Sequence, residues 1–197
     1  VTKVENPNVR ERLLDVAERL FAMNGVAETS VRAITSEAAV NVAAVNYYFD
    51  SKDDLFWALI DRRIGPLNEE RRAMLAKVTD PHDVEGILAA LALPAIRLTC
   101  QKPFYARLAS RLRYEGEGER WQQYRARQEG IIREFEGALQ AALPHLPAEE
   151  VRTRLRYVMG AIIHLWAQAT NPDGEPPERR EASFIAFFAA ALRAPAP

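Results

Sequence analysis

Cysteine is almost missing from this chain: Cys100 is the only one in 197 residues. A single thiol closes no internal disulfide and cannot supply the paired thiolates of a zinc knuckle. Glycine and proline are sparse as well, at 9 and 12 residues, which excludes a collagen-like or low-complexity chain. The three histidines, His82, His145 and His164, fall in different segments and make no ligand cluster. Neither sign of charge is in excess, since 26 Lys and Arg face 27 Asp and Glu for a net charge of -1. A bulk polycationic coat for nucleic acid or anionic membrane is therefore excluded, and any nucleic-acid binding has to come from a local patch. No run reaches the ~18 apolar residues of a bilayer span, and the opening VTKVENPNVRERLL lacks a signal-peptide core. These absences predict a soluble, cytoplasmic chain with no membrane partner and no metal or other cofactor.

What is present is helical spacing, in a chain 48% hydrophobic and long enough to bury a sizeable core. Val9, Leu13, Val16, Ala17, Leu20 and Phe21 recur at intervals that put one stripe on one helix face, with Gly25 as its stop. A short helix follows, capped by Thr29 or Ser30 and burying Val31, Ile34 and Ala38. Another begins after Asn41 and ends near Phe49. Ser51-Lys52-Asp53-Asp54 resembles a capping box that opens a longer helix towards Val78. Asp80-Pro81 predicts the next helix start, and Pro94 is expected to kink or shorten that helix. Pro103 opens a helix that ends at 115–118. Trp121, Tyr124, Gln128, Ile131, Phe135 and Leu139 stripe a long one, Pro144 stops it, and 147–150 opens another. A loop is expected at 171–177, before a last helix holding Phe184 to Leu192. The fold class expected is all-α, about nine helices: a small three-helix module over residues 1–50 and a larger helical body over 51–197.

The stretch TSVRAITSEAAVNVAAVNYYFDSKDDL, residues 29–55, has the layout of a helix-turn-helix, whose second helix enters the DNA major groove. Val42, Ala43 and Ala44 are small enough to let the helix N-terminus approach base edges, and that terminus favours phosphate. Asn46 can donate to base or phosphate. Tyr47 and Tyr48 can reach phosphates with their hydroxyls, Lys52 stands at the next helix start, and Thr29 and Arg32 flank the first short helix. The same run resembles the DNA-binding signature of the TetR/AcrR family of bacterial repressors, over Val9 to about Ile60. Its form V-N-x-A-A-V-N-Y-x-F-x-S-K is similar to a subset some of whose members sense fatty acids or their acyl-CoA esters.

The resemblance implies a homodimer of all-α subunits that binds a double-stranded DNA operator and leaves it when a small effector binds. Carried onto this sequence, it implies DNA contacts at Thr29, Arg32, Asn41, Val42, Ala43, Asn46, Tyr47, Tyr48 and Lys52. Ala39 stands where the family's turn usually has glycine, so a positive φ there would strain an alanine. Asn46 stands where many members have tyrosine. Residues 1–56 carry six basic and nine acidic side chains, a net charge of -3, which predicts weak non-specific DNA affinity and steep salt dependence.

The larger body suits a hydrophobic or amphipathic effector, because it offers apolar and aromatic side chains and few convergent acids. A fatty acyl effector is implied by resemblance alone. Trp121, Tyr124, Phe135 and His164 are candidates for lining a ligand pocket, with plain core packing the alternative for each. Arg107, Arg111 and Arg113 share a face that can neutralise an acidic head group or simply be solvated. Val158, Ile162, Leu165, Trp166, Phe184, Phe187, Phe188 and Ala191 offer more apolar surface than one subunit needs, which predicts a four-helix dimer interface. No nucleophile and base, glycine-rich phosphate loop or paired-carboxylate frame is recognisable, so no catalytic residue is assigned. Two alternatives to a ligand-responsive DNA-binding repressor stay open: a helix-turn-helix-fold interaction module without DNA function, and an all-α enzyme.

Overall fold

In the computed structural model, residues 7–115, 118–170 and 176–196 are described, and among them there are nine α-helices and no strand. The all-α expectation holds. The chain divides into two compact units, Val1–Pro66 and Leu67–Pro197.

The first unit holds α1 (Pro7–Asn24), α2 (Val31–Glu37), α3 (Ala43–Phe49) and the leading part of α4 (Lys52–Leu75). The α1 stripe buries Leu13, Ala17 and Phe21, joined by Ile34 and Ala38 at α2, Val45 and Phe49 of α3, and Leu55, Phe56, Leu59 and Ile60 of α4. Phe56 meets Phe21 in an edge-on ring contact. Each of the leucine, isoleucine, valine and phenylalanine side chains contributes roughly 1.5–3 kcal/mol on burial. Helix α1 stops where its spacing predicts, at Gly25, whose φ of 90° is open to glycine at no steric cost. At the start of α4 the Ser51 hydroxyl accepts from Asp54 N at 3.0 Å, as in a capping box. The return arm is missing, because Ser51 N donates to Phe49 O at 2.7 Å and the Asp54 carboxylate instead accepts from the serine hydroxyl.

The second unit holds the rest of α4 with α5 (Val84–Gln101), α6 (Pro103–Glu115), α7 (Glu119–Ala142), α8 (Ala148–Ala167) and α9 (Pro177–Arg193). Its core helix α5 corrects two expectations, its starting residue and the absence of a stretch long and apolar enough for a bilayer. It begins at Val84, capped by Asp83 accepting from Gly86 N at 2.8 Å. Asp80 instead makes a local turn, its carboxylate accepting from His82 N at 2.8 Å. The helix continues through Pro94 to Gln101, and it is long and apolar enough by length and composition to cross a bilayer. Most of it is buried within the protein, against α8 and α9 among others, which is where its apolar surface is spent. Around Pro94, which has no N–H to bond a preceding carbonyl, outside groups dock on the helix. Leu91 O accepts from Arg71 Nε at 2.9 Å and Ala95 O from Trp166 Nε1 at 2.7 Å.

Side-chain ions tie these helices together. Arg97 meets Glu181 with two bonds of 3.0 Å, and Arg193 grips Glu85 in the same forked way. Bonding to Arg193 holds the Glu85 carboxyl below its ordinary value. The buried Arg154 of α8 bonds Glu150 at 2.7 Å and collects carbonyls from the last turn of α9 and just beyond it, Leu192 O and Pro195 O both at 2.9 Å. The helix break expected at 115–118 and the loop at 171–177 lie partly outside the described residues.

Candidate nucleic-acid interface

The site is built by two helix ends and the turn between them. Ser30 caps α2 by accepting from Ala33 N at 3.1 Å. At its other end Val40 N donates to Thr35 O at 3.0 Å and Ala39 N to Ser36 O at 3.2 Å. That pair of bonds is a Schellman motif, which needs a left-handed residue at its pivot. Ala39 is that residue, with φ of 53°. Asn41 then starts α3: its side-chain oxygen accepts from Ala43 N at 2.8 Å and its carbonyl from Ala44 N at 2.9 Å. Val45 and Phe49 are buried, so the opposite side of α3 carries Ala43, Asn46 and Tyr47 into solvent. Val42 and Tyr47 are 48% and 38% exposed, unusual for such side chains.

The residues that the sequence assigns to DNA fall into two groups. Asn41, Val42, Ala43, Asn46 and Tyr47 are exposed together at the start and along the open side of α3, and Arg32 is exposed on α2. Tyr48 is half-buried, with its ring edge-on to Tyr47 at 4.8 Å and tilted against Phe49 at 6.4 Å. Thr29 and Lys52 are placed differently. Thr29 is 2% exposed, and its hydroxyl donates to Gly25 O at 2.7 Å. The Lys52 ammonium donates to Val26 O, Ala27 O and Thr29 O at 2.9, 3.3 and 3.0 Å. Both therefore hold the loop between α1 and α2. The spacing alone gave no sign of the Lys52 role, because its bonds join positions more than twenty residues apart.

The acid excess of the module is distributed unevenly. Glu18, only 6% exposed, accepts from Arg62 Nη2 at 3.1 Å and Arg63 Nε at 2.9 Å. Arg62 also reaches Glu11 at 2.8 Å and Asp15 at 2.9 Å. Burial works against the Arg62 charge, yet Glu11, Asp15 and Glu18 outweigh it and raise its pKa above the ordinary value. Three acids of α1 are thus neutralised against α4. A fourth, Glu37, is paired with Arg19.

In the second unit the pocket candidates scatter. Phe135 is fully buried, Trp121 and Tyr124 are half-buried with their rings edge-on at 5.3 Å, and His164 is exposed. Arg107 bonds Thr170 at 2.7 Å, and Arg111 is half-buried; the Arg113 side chain lies outside the described residues. Of the interface candidates, Val158, Ile162, Trp166 and Phe184 are buried inside the subunit, Leu165 and Phe188 half-buried, and Phe187 and Ala191 exposed. Arg71 belongs to the run Pro66-Leu67-Asn68-Glu69-Glu70-Arg71-Arg72, which also resembles the fatty-acid-sensing subset, but nothing in that run marks it as a site residue; it is 2% exposed in the interior of this unit. It sits in the charged run Glu69-Glu70-Arg71-Arg72, which reads as a solvated face. The available signal was its spacing: four residues after Leu67 and seven after Ile64, Arg71 falls on the buried stripe of α4.

Residues 13–59 match the pattern of "Bacterial regulatory proteins, tetR family", and residues 89–193 that of "Tetracyclin repressor-like, C-terminal domain". The second match alone spans more than half of the chain, and the chain belongs to the TetR family. It is 41% identical over 101 residues to the HTH-type transcriptional regulator AcrR of Shigella flexneri, covering 50% of this chain and 45% of that one. The chain thus matches under half the length of this curated relative. In fold it is similar to a TetR-family transcriptional regulator from Bordetella parapertussis, with TM-score 0.78, 19% identity and coverage of 92% and 94% of the two chains. It is similar also to the ketosteroid transcriptional regulator KstR2 of Mycobacterium tuberculosis, with TM-score 0.77, 17% identity and coverage of 92% and 93%.

Proposed function

We propose that this protein is a ligand-responsive, sequence-specific DNA-binding regulator, a repressor that leaves its operator when a small hydrophobic or amphipathic effector binds. The observation that carries the reading is the α2–α3 turn. A Schellman pivot at Ala39 and the Asn41 cap deliver α3 with Val42, Ala43, Asn46 and Tyr47 open to solvent. Those are the small and hydrogen-bonding side chains that a helix needs to lie in a major groove. Residues 1–50 supply the DNA contacts and residues 51–197 the effector and dimer functions, with the leading turns of α4 bracing the first. Thr29 and Lys52 serve by shaping the loop, and Arg32, Asn41, Val42, Ala43, Asn46, Tyr47 and Tyr48 are the contact set.

The protein acts in the cytoplasm as a homodimer and performs no catalysis. Its two copies of α3 read half-sites about one helical turn apart, roughly 34–36 Å. Tyr157 on α8 and Phe187 on α9, each 67% exposed, support a self-association surface there. The local excess of acid favours a second reading, an interaction module that keeps the helix-turn-helix but not DNA.

One titration decides between them. The purified protein is titrated against DNA from upstream of its own coding region, and against fragments selected from its genome, by fluorescence anisotropy over a salt series. Saturable binding that survives competitor DNA supports the regulator. An absence of any selected fragment at low salt leaves the interaction module.

A further inference from the structure

Arg71 is buried without a counter-ion. Its Nε donates to Leu91 O at 2.9 Å and its Nη1 to Asn68 Oδ1 at 3.3 Å, both neutral acceptors. Its Nη2 is buried with no hydrogen-bond partner. Among the described residues no carboxylate pairs with it. The contrast with the other shielded arginines is sharp: Arg62 meets three carboxylates, and Arg154 has Glu150 plus several helix carbonyls. Burial pushes the Arg71 guanidinium down to about 10, and the nearby phenols of Tyr124 and Tyr105 only partly offset that. A cation held this way costs folding free energy, and the usual remedy is an anion within bonding distance.

The groups around it suit such an anion. Asn68 and Arg71 come from α4, the fully buried Tyr105 from α6, and Tyr124 from α7, where its ring lies edge-on to Trp121. A guanidinium and two phenols are hydrogen-bond donors that a carboxylate can accept from together. One buried positive charge is balanced by one negative charge, so a monoanion fits where a phosphate dianion would leave an excess. The buried residues of this unit are mainly leucine, isoleucine, alanine and aromatic, which suits an apolar remainder.

We propose that Arg71, with Tyr105 and Tyr124, is the receptor for the carboxylate head of an otherwise apolar effector. This rests on the reading above that the second unit takes a small molecule, and it names the chemistry of that molecule. The order of causes runs from fold to ligand: the free protein carries an unneutralised charge, and the ligand supplies its partner.

The test uses the full chain with dodecanoate and 2-naphthoate, each beside its primary amide, by calorimetry and thermal shift at neutral pH. The acids are expected to bind the native protein more tightly than the amides by about 10- to 100-fold, the range of a charge-assisted bond. Arg71→Met should abolish that preference, so that acid and amide bind the variant alike. Arg71→Lys, which keeps the charge, should retain part of the preference and guards against a folding defect in the first variant. Equal binding of acids and amides overturns the proposal. So does an acid preference that survives in Arg71→Met, or no binding by either acid at millimolar concentration. Amides that bind and release DNA while the acids have no advantage would sink the receptor and leave the regulator standing. Failure of the regulator itself would show in the DNA titration, with no small molecule present.

Discussion

The Lys52 ammonium donates to the carbonyl oxygen of Thr29 at 3.0 Å, so two positions that the sequence assigns to DNA are bonded to each other. A lysine spent on three carbonyls has little left for a phosphate. Lys52→Met should lower stability by about 1–2 kcal/mol, the net worth of charge-assisted bonds that are partly exposed. It should weaken DNA binding equally at every salt concentration. Loss of a direct phosphate contact would instead reduce the salt slope by about 1, and a binding isotherm at several salt concentrations separates the two.

Asn46 and Tyr47 are expected to behave in the opposite way. Their side chains are exposed and α3 does not depend on them for its core. Asn46→Ala should cost about 1–3 kcal/mol of specific DNA binding, the value of a good base contact, with the melting temperature unmoved. Tyr47→Phe should lose less, and mainly non-specifically. A drop in thermal stability in either variant would show that the residue belongs to the fold.

Ala39 holds the left-handed pivot of the turn with φ of 53°. An L-residue pays about 1–2 kcal/mol there, and glycine recovers part of that against its greater freedom when unfolded. Ala39→Gly should therefore stabilise the protein by about 0.5–1 kcal/mol. Denaturant unfolding followed by a probe in the first unit measures it. A destabilised variant would mean that the alanine methyl makes a contact worth more than its strain.

Phe187 is 67% exposed and leaves a large apolar side chain open on α9. Phe187→Asp should shift sedimentation at micromolar concentration from dimer to monomer and weaken DNA binding, while circular dichroism stays unchanged. A native protein that sediments as a monomer would remove the basis for this prediction.

Local signals were the legible part of the fold. Gly25 ending α1, Ser30 capping α2, Asn41 opening α3 and the strain at Ala39 each depend on residues within one turn of each other. The start of α5 was displaced because Asp80 and Asp83 both have capping chemistry, and only the fold chooses the second. The roles of Thr29 and Lys52 were hidden because they depend on a loop meeting the start of α4 across the chain. Val158, Ile162, Trp166 and Phe184 looked like surplus apolar surface because spacing says which face is apolar, not which neighbour covers it. Helix α5 is among the neighbours of both α8 and α9, and these side chains are buried within the unit. Arg71 was masked by its neighbours: three further charges in its run point to solvent, and residue type outweighed register.

Arg154 also bears on how the last two helices come together. Its guanidinium is buried against carbonyls of the final turn of α9 and the residues just after it, Leu192 O and Pro195 O among them. If α9 frays, those acceptors go and α8 is left with a shielded cation held by Glu150 alone. Opening the end of one helix therefore exposes the first half of the other, and the two should act as one cooperative unit in hydrogen exchange. Amides near Arg154 in α8 and those of the last turn of α9 would then share a single opening free energy, although they lie some forty residues apart.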